Sequence, residues 1–337
     1  MTDAASPASG DTASTSTTAS APLPETGWSK LGNRLLVRIS GPGTDKFLQG
    51  QFSQHLDEVV AGYSPRAAAA TPKGRAYCLT RMVRDGENIV MDLDTSLAES
   101  TLTHLRKYLM LFRGTSAEPV TDGCVFGLFG DSEAKRLAGQ AFSELKRPGD
   151  SLALNSGFLI RVEPTAEGLS RFEFWRTDES EAGLDASKEC SLADWQASEI
   201  AAGIAALTEE TKEVFVPQML NWQHVGGVHF KKGCYTGQEI IARMHFLGQL
   251  KKSLYRFRLD ADQAPTPGAP ILAGDRSVGN VVNAVRLQNG TCELLAVVRH
   301  DAADEDLTID GLADQTLAQL PLPYAVPERE KSPQTDT

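Results

Sequence analysis

The feature that narrows the fold most is the change of apolar periodicity between residues 34 and 112. Leu35, Val37 and Ile39 alternate as one face of a strand, and Ser40-Gly41-Pro42-Gly43 turns the chain. Thr44 then stands at an expected helix N-cap, ahead of Phe47, Leu48, Phe52 and Leu56 on one helical face. Tyr77 to Val83 and Ile89 to Leu93 flank Asp85-Gly86, which predicts a hairpin. After Ser96, helical spacing returns with Leu97, Thr101, Leu105, Tyr108, Leu109 and Phe112. Strand, helix, strand, strand, helix is the order of a split βαβ, or ferredoxin-like, unit in an α+β protein.

A fainter version of the same succession runs from Val125 to Ile204, with strands expected near Phe158 to Val162 and Arg171 to Trp175 and a helix over Leu192 to Ile204. Two related halves, about 29 to 120 and 121 to 250, are therefore expected in one α+β domain. After Lys252 the texture changes to short strands, Leu254 to Leu259, Val278 to Leu287 and Cys292 to Val298, with turns at Pro267-Gly268 and Asn289-Gly290. This predicts a small C-terminal β-barrel over residues 251 to 326. A chain of 337 residues is long enough for both.

Residues 1 to 28 are dominated by Ala, Ser and Thr, with no Lys or Arg before Lys30, so a disordered leader without a secretory or transit pattern is expected. Pro327 to Thr337 are expected to form a frayed tail. No apolar run approaches the roughly 18 residues that span a bilayer, and no membrane partner is expected. Five scattered cysteines without a C-x-x-C pair fit a reducing compartment and point to the cytoplasm. A formal net charge of -11 opposes indiscriminate binding to nucleic acid, so any anion site must be a local patch.

The densest chemical signal is Phe230-Lys231-Lys232-Gly233-Cys234-Tyr235-Thr236-Gly237-Gln238-Glu239, followed by Ile240, Ile241, Met244 and Leu247 at helical spacing. Thr236 and Glu239 have capping-box spacing, which places a helix start there. Cys234 then precedes the positive end of a helix with two lysines close by, and both features favour a thiolate. The opposing reading is a packed structural thiol, since free Cys is among the most buried residue types. Gly233 and Gly237 allow close backbone approach to a ligand. From residue 231 to 258, Lys231, Lys232, Arg243, Lys251, Lys252, Arg256 and Arg258 face only Glu239, an excess suited to folate carboxylates or RNA phosphates, or simply to a solvated face. His224, His229 and His245 lack metal-ligand spacing, and no metal site is expected. Lys73 and Arg75 bracket Gly74 in a turn that lines a polar cleft or is merely exposed. Trp195 offers a flat face for stacking on a heteroaromatic ring, or a core side chain.

Lys231 to Glu239, with Ala242-Arg243 after it, resembles the motif of the YgfZ family of folate-binding proteins, relatives of the glycine cleavage aminomethyltransferase (T-protein). The resemblance extends to Phe47-Leu48-Gln49-Gly50-Gln51, Lys73-Gly74-Arg75, Trp195 with Ala202-Gly203-Ile204, Pro217-Gln218 with Asn221, and Leu322-Pro323-Tyr324. It implies an aminomethyltransferase-like folate-binding fold followed by a β-barrel, with tetrahydrofolate as cofactor. It implies maintenance of iron-sulfur proteins, including radical enzymes that modify tRNA, as the role. Trp195 matches a tryptophan implicated in folate binding, while a second family tryptophan corresponds to Arg34 here. On this reading Cys234 is the reactive residue, and Lys73, Arg75, Trp195, Lys232, Gly233, Tyr235, Gly237, Gln238, Glu239 and Arg243 contact the cofactor. The alternatives are a folate-dependent one-carbon transferase, whose catalytic acid is not evident, and a direct tRNA-binding protein.

Overall fold

A computed structural model describes residues 18 to 246, 250 to 312 and 315 to 326. Expectations for residues 1 to 17, for Leu247 and for the 327 to 337 tail lie outside the described residues. In chain order the first elements are β1 (Thr18–Ala19), β2 (Gly27–Lys30), β3 (Arg34–Ser40), α1 (Thr44–Gln51), β4 (Arg66–Ala70), β5 (Ala76–Asp85), β6 (Asn88–Asp94), α2 (Thr95–Leu109) and β7 (Ser116–Pro119). There follow β8 (Cys124–Phe129), α3 (Ser132–Ala138), β9 (Ser151–Leu154), β10 (Gly157–Val162), β11 (Arg171–Arg176), α4 (Leu192–Ala201) and α5 (Gln238–Phe246). The chain then runs through β12 (Lys252–Asp260), β13 (Pro270–Ala273), β14 (Arg276–Leu287), β15 (Thr291–Arg299), β16 (Leu307–Ile309) and β17 (Ala318–Leu320).

The strands form three sheets, with orders β4-β5-β6-β3-β7, β9-β10-β11-β8-β2 and β16-β13-β14-β15-β12-β17, the last also holding β1 against β14. The first two orders mirror one another, but the edge strand beside β8 comes from residues 27 to 30, ahead of β3 in the first sheet. The described part of the leader expected over residues 1 to 28 therefore holds sheet-paired strands from Thr18 onward. Thr18 and Ala19 pair in parallel with Arg286 and Leu287, and the Ser20 amide donates to Asp194 at 2.5 Å. Backbone pairing needs no apolar side chains, which is why this Ala-Ser-Thr stretch reads as disordered from composition. In the third sheet the ladders follow an open path, and among the described residues none joins its two ends, so a closed barrel is not what pairs here.

Two helix starts differ by a residue or two from expectation. Gly43 precedes α1, while the Thr44 hydroxyl donates to the Gly41 carbonyl. Asp94 rather than Ser96 caps α2, accepting from the Ser96 amide. The apolar face of α2, Ala98, Leu102, Leu105 and Leu109, then covers the first sheet with Phe47, Ile39 and Met91, while Leu97 packs with Ala197 and Ile200 of α4. α4 is closed by the Ser191–Asp194 capping box and buries eight of its ten residues, as a helix enclosed by two sheets must.

A guanidinium and carboxylate seam joins the first and second sheets. Arg66 on β4 grips Glu163, just past β10, through Nε at 3.0 Å and Nη2 at 2.7 Å, and Arg81 on β5 reaches the same carboxylate at 3.1 Å. Arg171 donates to the Glu163 carbonyl at 3.1 Å. Beside them Arg34 bridges Asp92 on β6 at 3.0 Å and Glu199 on α4 at 2.8 Å. Burial alone would raise the Glu163 carboxyl, but Arg66 and Arg81 hold it well below the usual carboxylate range. Removing this charge strands two buried guanidinium groups, so Glu163→Gln is expected to cost ~3–5 kcal/mol in chemical denaturation. Because the folded group is depressed, its contribution is complete above the unfolded value of about 4.5 and is lost as pH falls below it. A variant whose acid-denaturation curve overlays that of the wild type would contradict this.

Candidate functional site

The motif loop is moulded onto the open carboxyl end of α1. The last carbonyls of a helix lack intrahelical donors, and its macrodipole is negative there. Lys232 Nζ donates to the carbonyls of Gln49 at 2.7 Å and Phe52 at 2.5 Å, and the Thr236 amide donates to that of Gly50 at 3.0 Å. The Lys232 ammonium also lies over the Tyr235 ring, 4.7 Å from its centroid. Two stretches far apart in sequence, Phe47 to Gln51 and Lys232 to Thr236, thus form one unit.

Glycines close the other side of the loop. Gly237 has φ +81°, and a Cβ there would lie 2.5 Å from the Thr71 carbonyl oxygen, while a Cβ on Gly74 would lie 2.8 Å from Ile240. The Lys73-Gly74-Arg75 turn is therefore seated against the first turn of α5. Gln238 Nε2 reaches back to the Lys232 carbonyl at 3.3 Å. The expected capping box gives way to this packing: α5 begins at Gln238, and the Thr236 hydroxyl is directed to the Gly50 carbonyl at 3.4 Å.

Cys234 is exposed on this anchored loop. All five thiols are free, and Cys78, Cys124, Cys190 and Cys292 are buried or half-buried, each pushed up by desolvation. Of the two lysines expected to favour a thiolate, Lys231 is exposed but Lys232 is turned inward with its charge spent on carbonyls. Burial pushes the Lys232 ammonium down to about 7.

Other expected site residues separate. Gly233, Glu239, Arg243 and Lys73 are exposed near the loop, Tyr235 is half-buried, and Arg75 donates to the Val214 carbonyl. Trp195 is not an open platform. It is 1% exposed, packs edge-on to Phe129 at 5.5 Å, and carries the Arg171 guanidinium 4.2 Å from its ring centroid. Its helical spacing belongs to the core reading, and its buried Nε1 has no partner. Arg34, where the family has its other tryptophan, is occupied by Asp92 and Glu199. The residues present therefore do not form an aromatic slot for a pterin at Trp195.

The basic stretch of residues 231 to 258 is also dispersed, because Lys232 faces inward and Arg256 and Arg258 pair with Glu293. His229 bonds Glu58 at 3.0 Å, and His245 stacks on Phe230 at 3.6 Å. Among the described residues no group of three His, Cys, Asp or Glu side chains is placed to hold a metal. Neither Cys234 nor any of the expected cofactor contacts lines either of two open clefts, one of about 690 Å³ along the third sheet and one of about 890 Å³ between the second and third sheets, but Arg256 and Arg258 of the basic stretch line the larger. Arg256, Arg258, Glu293 and Glu167 at the larger cleft carry no local motif, since strand pairing and a loop assemble them.

The three-sheet architecture is that of aminomethyltransferase T. The glycine cleavage system enzyme of Bartonella henselae superposes with a TM-score of 0.70 at 14% identity, covering 92% of this chain and 88% of that one. No family model matches the chain. The tRNA-modifying protein YgfZ of Yersinia pestis (strain Pestoides F) is 32% identical over 305 residues, 87% of this chain and 91% of the relative. The protein of the same name from Escherichia coli O45:K1 (strain S88 / ExPEC) is 32% identical over 322 residues, 92% and 97% of the two chains. The chain belongs to the YgfZ family.

Three outcomes are expected. Iodoacetamide followed by peptide mapping should label Cys234 before the other four thiols; faster labelling of any other would refute its privileged position. Trp195→Ala should cost ~3–5 kcal/mol of stability, as for other large aromatic truncations in a core. For Lys232 the unfolded chain retains a proton that the folded one releases between about 7 and 10.5, so this residue makes stability rise with pH across that window. Lys232→Met should flatten that rise in pH-dependent urea melts.

Proposed function

We propose that this chain is an accessory protein of tRNA modification, acting through the exposed thiol of Cys234 on the loop anchored to α1. The observation that carries this reading is the placement of that thiol. It is the exposed cysteine of the five, on a loop held to the end of α1 by four hydrogen bonds and packed against the Gly74 turn. A nucleophile or transient ligand needs access and a fixed direction, and both are present. The names of the YgfZ relatives supply the tRNA context. Maintenance of iron-sulfur enzymes in the cytoplasm is the client chemistry that best suits a single accessible thiol.

Tetrahydrofolate is the ligand we assign to the family fold, bound by surface residues beside the loop and not by Trp195. Lys73, Lys231 and Arg243 are exposed there and match the carboxylates of its glutamate tail. Bound folate would supply one-carbon or redox chemistry of its own. The chain's residues supply an anchored thiol and cationic neighbours. A one-carbon transferase gains no support from the buried acids Asp92, Glu163 and Glu199, since guanidinium groups already occupy them.

In cells lacking the protein, wild type is expected to restore the modified nucleosides of tRNA, quantified by mass spectrometry, and Cys234→Ala is expected not to. Full restoration by Cys234→Ala would remove the thiol from the mechanism. Calorimetric titration of 5-formyltetrahydrofolate should weaken in Lys73→Ala/Arg243→Ala, and equal affinity would reject the proposed surface.

A further inference from the structure

The cleft of about 890 Å³ between the second and third sheets lies apart from the Cys234 loop, and its walls are chemically specific. Arg256 and Arg258 stand two residues apart on β12, hence on one face of the sheet. Glu293, opposite on β15, accepts from both: from Arg256 Nε at 3.0 Å and Nη2 at 2.7 Å, and from Arg258 Nη2 at 2.6 Å. Two guanidinium groups against one buried carboxylate leave a charge of +1. It is neutralised by Glu167, at the tip of the Thr165–Gly168 turn, whose Oε1 meets Arg256 Nη1 at 2.6 Å.

The two carboxylates are not equivalent. The Glu293 side chain is 6% exposed and that of Glu167 is 56% exposed, while the side chain of Arg256 between them is 4% exposed. When Glu167 swings into water, Arg256 keeps Glu293 and, at 3.4 Å, the Pro321 carbonyl, so Glu167 is the partner that can be exchanged. The rest of the lining is mixed: Ala21, Leu23, Leu169, Ala197 and Leu287 are apolar, and Glu25 and Asp131 add two carboxylates. Glu167 thus occupies the place of a ligand's head group above a floor suited to a hydrocarbon body.

We propose that this cleft binds a small organic carboxylate, whose head group replaces Glu167 at Arg256 beside Arg258 and whose apolar body lies on Leu23, Leu169 and Leu287. A monovalent carboxylate is favoured over a divalent phosphate because the group displaced is itself a carboxylate, the Arg256–Arg258–Glu293 cluster it leaves carries +1, and Glu25 and Asp131 in the same lining disfavour a second negative charge. The site is independent of the Cys234 reading.

Hexanoate is the probe, with hexan-1-ol and inorganic phosphate as controls, followed by saturation-transfer NMR on the full chain. Hexanoate should bind the wild type, should bind Glu167→Gln several-fold more tightly because the competing carboxylate is gone, and should weaken about tenfold in Arg258→Gln. Neither control should match it. Thermal melts of both variants check that they are folded. Absence of hexanoate binding to both wild type and Glu167→Gln, unchanged binding in Arg258→Gln, or equal binding of hexan-1-ol would each show the ion pairs to be a clasp between sheets and overturn the proposal.

Discussion

The first and second sheets meet across buried charge. Arg34, Arg66, Arg81 and Arg171 face Asp92, Glu163, Glu173 and Glu199 in a region from which water is largely excluded. Desolvating such groups is costly and is offset only when each charge finds partners in good geometry. That requirement fixes how β4, β5 and β6 must stand relative to β10, β11 and α4, since sliding either sheet by one residue would leave several charges unpaired. An apolar seam would tolerate such slippage. The separation between the Cys234 loop, on the first half, and the cleft, between the second and third sheets, follows from this fixed docking.

Local structure was largely legible, because it depends on periodicities that one strand or helix carries alone. Leu35, Val37 and Ile39 do form a strand, Asp85-Gly86 does sit between two paired strands, and Arg171 to Trp175 do lie in a ladder. What escaped reading was partnership across the chain. Gly27 to Lys30 complete a sheet whose other members begin nearly a hundred residues later, and a Gly-Trp-Ser-Lys tetrapeptide has too little pattern to announce it. The carbonyls at the end of α1 are backbone groups and leave no trace in residue identity, so the role of Lys232 was equally hidden.

Trp195 and Lys232 share one feature. Both have a polar or planar group usable by a ligand, and in both the protein itself uses it. The Trp195 face receives Arg171, and the Lys232 ammonium receives two carbonyls and the Tyr235 ring. A residue type in a suggestive motif indicates a capacity for interaction. Only the geometry assigns that capacity to the interior or to solvent.

The inward turn of Lys232 changes how the motif should be understood. Had its ammonium pointed outward, the close spacing between charge and thiol would suggest direct electrostatic activation. With the ammonium capping α1, its contribution is mechanical: it holds the loop backbone so that Gly233 and Cys234 stand clear of the surface while Tyr235 folds back beneath them. Cys234 then differs from the other cysteines in accessibility, since burial disfavours the charged form of every other thiol in the chain. The motif is long because anchoring requires it: a cation for the helix end, an amide and hydroxyl for Gly50, and a glycine where the Thr71 carbonyl presses close.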